Sequence, residues 1–348
     1  MNFGKHILVI SALALLSGCK VDPKISLVAA DELKIEQPQG WPAPVYSFSN
    51  NLIKAEVFNL GRELFYDPIL SVDNTISCGS CHQQFAAFAH AEHKFSHGVN
   101  DLIGTRNGPG LFNLTWHSSF MHDGGINHIE LQPLGPIQNP IEMGDTFTKV
   151  ILKLQNSGKY KQLFLKAYGT EEVTDVRMLK SMAQFMGLMY SYNSKFDHYK
   201  RNENNAKLTD EELRGYSAFQ AKCANCHVEP LFSDFKYRNN GIAIDPLIND
   251  SGRAHITGLP QDRYKFKTPS LRNVGLTGPY MHDGRYTTLQ QCLDHYTNLQ
   301  NNINHDPLMP LGGIPLTAQE KTDIISFLHT LTDYEFINDQ KFTDPNGN

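Results

Sequence analysis

Two pentapeptides of one form, "CGSCH" at Cys78 to His82 and "CANCH" at Cys223 to His227, constrain this chain more than any other feature. Each is followed by a second shared signature, "SFMHDGG" (Ser119 to Gly125) and "PYMHDGR" (Pro279 to Arg285), 160 residues apart. The register extends upstream, because Pro109, Leu111 and Asn113 of "GPGLFN" stand 160 before Pro269, Leu271 and Asn273 of "TPSLRN". An internal duplication accounts for all of these coincidences. A chain of 348 residues built this way is expected to fold as two related units.

The pentapeptide CxxCH attaches haem c: the two thiols form thioethers to the vinyl groups, and the adjacent histidine reaches the iron from one side. The expected attachment residues are Cys78, Cys81, Cys223 and Cys226, with His82 and His227 as the proximal ligands. Two haem c groups are therefore the expected cofactors. The opposite face of each iron decides its use, since a strong sixth ligand makes an electron carrier and an open position makes a reaction site. For the second haem the residues offer Met281, His282, Tyr296 and Met309, and spacing alone does not choose. Moving Tyr296 back by 160 reaches Pro136, which has no side-chain ligand. If Tyr296 caps the second iron, the matching place on the first is open.

The start, "MNFGKHILVISALALLSGC", has a basic Lys5 and an apolar run from Ile7 to Leu16 that is too short to span a bilayer, as an export signal has. Leu16-Ser17-Gly18-Cys19 resembles the bacterial lipoprotein cleavage box, which predicts lipidation of Cys19 and removal of residues 1–19. Lys20 in the next position points to the outer membrane, with the protein on the periplasmic side and held to the membrane only by its lipid. Of the six cysteines, this leaves Cys292 alone, so no disulfide framework is available. In "TLQQCLDHY" Cys292 reads as a small buried residue of a helix. A net charge of −5 gives no sign of nucleic-acid binding.

Residues 20–45 lack a sustained period and end Pro-rich, the pattern of a tether. From Ala55, Val57, Leu60, Leu64 and Phe65 share one helical face ahead of the first CxxCH. The second CxxCH has a matching lead-in, with a capping box at Thr209 and Glu212 and an apolar stripe of Leu213, Tyr216 and Phe219. "LTAQEKTDIISFLHTL" carries another box, Thr317 and Glu320. The polar stretch Arg201 to Lys207 marks the boundary between a first haem unit, 46–200, and a second, 201–340. Strand-like alternation is scarce. The expectation is a mostly α protein of two cytochrome c-like haem domains with long loops.

The order CxxCH, "GTRNGPGLFN", "SFMHDGG", "LQPLGPIQNPIEMG", CxxCH, "KTPSLRNVGLTGPYMHDGRYTTL" resembles the bacterial di-haem cytochrome c peroxidase family over residues 50–335. The family has a methionine ligand 14 residues after the HDG histidine. Here that position is Tyr296, as in the MauG-like branch, whose members oxidise side chains of a partner protein.

The resemblance implies that Gln132 and Glu142 are the distal-pocket glutamine and acid of the peroxidatic haem. The chemistry agrees, because a peroxide proton has to move from one oxygen to the other before the O–O bond breaks, and a carboxylate beside an apolar pocket can relay it. Asn107, Thr277 and Pro279 match the positions that hold a calcium ion between the domains, the last two through carbonyls, and calcium takes hard oxygen donors. His122 stands where relatives have an inter-haem tryptophan. Trp116, six residues earlier, is expected to be a packed core residue rather than a substitute relay. His97 is the best local match to a gating histidine over the first haem, with His90 and His93 beside it.

The reading is a peroxidase that reduces hydrogen peroxide at the first haem with electrons relayed through the second. A small redox protein would supply them. Two alternatives stand beside it: a MauG-like oxidase acting on a partner protein, and a non-catalytic di-haem electron-transfer protein.

Overall fold

The computed structural model describes residues 27–34, 37–91, 93–299 and 305–347. The signal segment and Cys19 lie outside them. Helix α1 (Ala55–Tyr66) opens the first half and leads to α2 (Cys78–Cys81), a single turn capped by Ser77, whose side chain accepts from the Ser80 amide. There follow α3 (Leu134–Gln138), α4 (Phe147–Asn156), α5 (Gly158–Tyr168), α6 (Asp175–Gly187) and α7 (Lys195–Arg201). The second half contains α8 (Asp210–Lys222), α9 (Ala254–Thr257), α10 (Leu289–Thr297), α11 (Ala318–His329) and α12 (Tyr334–Asn338). Two short antiparallel strands, β1 (Tyr237–Arg238) and β2 (Phe266–Lys267), place Tyr237 opposite Lys267. The protein is mostly helical, with long loops between the helices. Among the described residues no helix is long and apolar enough to cross a membrane.

The duplication is visible as one helix crossing made twice. α1 packs on α6 at Gly61, where a Cβ would stand 2.0 Å from the Ser181 carbonyl oxygen and 3.1 Å from Cβ of Phe185. α8 packs on α11 at Gly215, where a Cβ would stand 1.9 Å from the Asp323 carbonyl oxygen and 3.0 Å from Cβ of Phe327. Only glycine allows backbones this close. The crossing also corrects one sequence expectation: Leu213, assigned to the apolar stripe of α8, is 36% exposed, because the buried face is that of Gly215 and Phe219. The capping boxes Thr209–Glu212 and Thr317–Glu320 form as their spacing predicts.

The loops repeat as faithfully as the helices. The bridge between Phe120 and Ile126 recurs between Tyr280 and Tyr286. Asn113 and Asn273 are both left-handed, with φ of 55° and 58°, as are Met121 and Met281, with φ of 65° and 72°. Asparagine tolerates that conformation. The two asparagines also meet, since Asn113 Nδ2 donates to the Ser191 carbonyl and Asn273 Nδ2 to the Ser191 hydroxyl, each at 2.9 Å.

Each half has its own apolar core. Phe58, Leu64, Phe65, Met182 and Phe185 form the first, joined by Phe336 and Phe342 from the C-terminal segment. Phe196, Phe219, Phe232, Phe327 and Leu331 form the second. Val28 and Leu33 are buried against the first core, and Trp41 packs on Trp116. A buried bidentate pair, Arg272 to Asp197 at 2.8 Å through both nitrogens, ties the loop after the second CxxCH to α7.

Charged contacts join the halves. Arg106 donates to both Asp250 oxygens, at 2.6 and 2.9 Å, and to Asp123 at 2.6 Å, while Arg253 reaches the carbonyls of Asp123 and Gly124.

Candidate functional site

Both pentapeptides open onto one cavity of about 790 Å³, which carries Cys78, Cys81 and His82 on one part of its wall and Cys223, Cys226 and His227 on another. The local backbone aims the histidines. Nδ1 of His82 lies 2.7 Å from the Phe88 carbonyl and Nδ1 of His227 lies 3.1 Å from the Phe232 carbonyl. Phe88 and Phe232 are both left-handed, although the first turn is one residue longer than the second. With Nδ1 donating to a carbonyl, Nε2 holds the lone pair that a metal needs. Burial pushes His82 down to about 4, which keeps the ring neutral. Cys78, Cys81, Cys223 and Cys226 form no disulfide, which leaves their sulfurs for thioether bonds. Paired thiols and a neutral imidazole on the wall of a largely apolar cavity fit a c-type haem in each half.

Gln132, Pro136 and Glu142 all line the same cavity. The Glu142 carboxyl is raised above the usual glutamate range by burial, against the lowering effect of Asn139, whose Nδ2 donates to it at 2.9 Å. Its own carbonyl accepts from the Val99 amide at 2.8 Å, and a Cβ on Gly98 would stand 2.0 Å from the Ile141 carbonyl. The loop that carries His97 is thereby pressed onto the segment that carries Glu142. His97 lines the cavity and its Nδ1 is 2.6 Å from Asp101, whereas His90 and His93 are not on the wall.

The second compartment is furnished differently. Tyr296 stands on the wall, its phenol pushed far up by burial so that it stays protonated without a metal. Met281, His282 and Met309 line the wall too, but Met281 Sδ accepts from Asn240 Nδ2 at 3.4 Å and the His282 ring stacks on Phe266 at 3.7 Å. Cys292 sits one turn before Tyr296 on α10 and faces the cavity.

Between the compartments, His122 lines the cavity with Nε2 2.8 Å from the Asn107 carbonyl, and burial pushes it down to about 4. Trp116 is not on the wall; it packs edge-on to Trp41 at 5.0 Å and donates to the Pro42 carbonyl, as a core tryptophan does. Asn107, Thr277 and Pro279 all line the cavity, and the Asn107 amide donates to the His282 carbonyl, three residues beyond Pro279. Asn107 Nδ2 faces the Lys94 carbonyl, which leaves Oδ1 for a cation, and neither the Thr277 nor the Pro279 carbonyl accepts a backbone hydrogen bond among the described residues. Those oxygens fit calcium.

Sequence reasoning missed two residues. His117 lines the cavity with both ring nitrogens buried and unpartnered among the described residues. Lys267 is half-buried beside it, pushed down to about 8 by burial and pulled up by Asp123. The 160-residue register could have found both, as they stand opposite Thr277 and Asn107 in the repeat.

The family model of the di-haem cytochrome c peroxidases matches residues 55–205. A cytochrome c551 peroxidase of Nitrosomonas europaea is 33% identical over 291 residues, which is 80% of this chain and 80% of that one. This chain belongs to the di-haem cytochrome c peroxidase family. As a member it is an oxidoreductase that uses peroxide and carries c-type haems. Methylamine utilization protein MauG of Methylorubrum extorquens is similar to nearly the same degree, 31% identical over 87% of this chain and 85% of that protein. A solved MauG-like protein associated with microbial copper homeostasis superimposes with a TM-score of 0.75, at 31% identity over 90% of this chain and 99% of that one.

Proposed function

We propose that this family member reduces hydrogen peroxide in the first compartment, beside His82, and passes the electrons in through the second, beside His227. One peroxide, two electrons and two protons give two waters. When bound, the haems supply the iron that exchanges electrons and breaks the O–O bond. The chain supplies the rest. Glu142 takes a proton from one peroxide oxygen and returns it to the other, Gln132 offers an amide hydrogen bond to the same molecule, and Pro136 leaves that face open to a small ligand. Tyr296 would ligate the iron of the second haem, and Asn107, Thr277 and Pro279 would hold a calcium ion between the halves. Export and a lipid on Cys19 put the enzyme on the periplasmic side of the outer membrane.

The observation that carries this reading is the asymmetry of one cavity: Pro136 with an acid whose pKa is raised in one compartment, and a buried phenol at the matching position in the other. A plain electron carrier has no use for it.

A second reading is favoured by Tyr296, which matches the MauG-like position. The electrons then come from side chains of a partner protein, which is oxidised as peroxide is reduced. The solved relative's association with copper homeostasis makes a copper-handling protein the first partner to try.

The test is peroxide added to the diferric protein, followed by reduced cytochrome c or by proteins encoded beside the gene. Rapid oxidation of cytochrome c supports the peroxidase, and peroxide-dependent modification of a neighbour supports the second reading. Failure of peroxide to react with either redox state sinks both.

A further inference from the structure

The candidate calcium residues and the repeat register together mark a second place in the molecule. Advanced by 160, Asn107 becomes Lys267; moved back by 160, Thr277 and Pro279 become His117 and Ser119. The backbone obeys this exchange. The Asn107 amide donates to the His282 carbonyl at 2.8 Å, and the Lys267 amide donates to the His122 carbonyl at 2.7 Å, with 122 and 282 again 160 apart. The halves therefore meet across a pseudo-two-fold axis, and whatever sits between Asn107 and Pro279 has a counterpart between Lys267 and Ser119.

On that other side a cation is already in place. Nζ of Lys267 donates to the Ser119 carbonyl at 2.6 Å, the counterpart of the Pro279 carbonyl, and lies over the Phe120 ring. Beside it His117, the counterpart of Thr277, has two ring nitrogens with no partner among the described residues.

We propose that the Lys267 ammonium is a tethered cation at the pseudo-symmetric counterpart of the calcium site, so that one exchangeable ion and one covalent one close the contact between the halves. The proposal rests on the reading of Asn107, Thr277 and Pro279 as a cation site. A carbonyl oxygen without a backbone partner favours positive charge beside it, and the Ser119 carbonyl has that charge in Nζ of Lys267. Calcium meets that need with several oxygen ligands, and an ammonium meets it with three donors and no metal. The substitution of asparagine by lysine between the repeats thus replaces the ligand and the ion together. The orphaned nitrogens of His117 leave polar capacity at the spot for a metal or its water once the ammonium is gone.

The experiment compares haem-loaded wild type, Lys267→Asn and Lys267→Met for bound calcium, by atomic emission after dialysis, and for Tm with and without added calcium. The wild type is expected to hold one calcium per chain and Lys267→Asn a second, with a lowered Tm that calcium restores. Lys267→Met should lose Tm beyond rescue by calcium, which a merely space-filling lysine would not produce. An unchanged Tm in both variants, or a deficit in Lys267→Asn that calcium leaves untouched, overturns the proposal. Wild type free of calcium rejects the Asn107 site instead. The lysine is then judged on Lys267→Met alone, where a lowered Tm supports it and an unchanged one overturns it.

Discussion

Nε2 of His122 is 2.8 Å from the carbonyl oxygen of Asn107, so the ring standing between the two compartments is hydrogen bonded to a residue of the candidate calcium site. Burial lowers the His122 pKa to about 4, which favours the neutral imidazole, and Nε2 is placed to donate to that carbonyl. Neutral imidazole is harder to oxidise than indole, so it bridges electrons without holding the hole. His122→Trp is expected to speed electron transfer from the second compartment to the first in stopped-flow traces, and His122→Phe to slow it. Equal rates in all three proteins would remove position 122 from the route.

Glu142 is the residue on which peroxide cleavage should depend most. Glu142→Gln keeps the shape and the Asn139 contact while removing the proton acceptor, so both haem spectra should persist as the reaction slows by about two to four orders of magnitude. Burial raises the Glu142 pKa, so its carboxylate form is lost on acidification at a higher pH than for an ordinary glutamate near about 4.3. The wild-type rate should fall below that raised pKa, and the glutamine variant should lack this limb. A full rate in Glu142→Gln with the first iron still open would take Glu142 out of the mechanism.

Much of the site was legible in the sequence because its chemistry is local. CxxCH needs only five consecutive residues, and a capping box such as Thr209–Glu212 needs four. The register exposed Pro136 against Tyr296 without any coordinates. What stayed hidden depends on pairs far apart in the chain. Nothing around Gly61 or Gly215 announces that Ser181 or Asp323 will press on it, and the apolar spacing of α8 pointed to Leu213 instead. The C-terminal Phe336 and Phe342 cross back into the first core, and Val28, Leu33 and Trp41 are buried although the sequence around them has no period. Lys267 carries no local signal of its role, because its amide and ammonium find their partners, the His122 and Ser119 carbonyls, in the other half.

The two glycine crossings should cost alike when filled. A Cβ at Gly61 or Gly215 would stand about as close to a carbonyl oxygen in one half as in the other, 2.0 and 1.9 Å. Gly61→Ala and Gly215→Ala should each lose about 1–3 kcal/mol, the usual cost of overpacking. Denaturant unfolding of the haem-loaded protein measures both, and a loss in one variant alone would mean that the crossings are not equivalent.

The lipid anchor follows from Leu16 to Cys19, which lie outside the described residues. Cys19→Ser should leave the protein unlipidated and shift its processed form to the soluble periplasmic fraction. Mass spectrometry of the native mature protein gives the decisive reading: an N-terminus without a diacyl group on Cys19 rejects the anchor.

Tyr296 carries the sharpest consequence. A phenolate is a hard anionic donor that favours ferric over ferrous iron, so the second haem should have a lower potential with tyrosine than with methionine. Burial holds the Tyr296 phenol protonated in the absence of metal, and ligation to ferric iron has to replace that proton, which makes binding at this site release one proton per phenol. The first haem, facing Pro136, should be high-spin and open to small ligands. Resting spectra should therefore show one high-spin and one low-spin ferric haem, with no methionine-to-iron charge-transfer band. Tyr296→Met should introduce that band, raise the second potential and weaken oxidation of any partner protein while retaining peroxide reduction with cytochrome c. Met281 is the built-in rival, and the Asn240 amide already engages its sulfur. A methionine band in the wild type that disappears in Met281→Leu would give the second iron to Met281, remove the MauG-like reading and leave the peroxidase. Low-spin signals from both ferric haems would instead mark a closed first compartment, with His97 a candidate on its wall, and would make reduction a precondition for the reaction with peroxide.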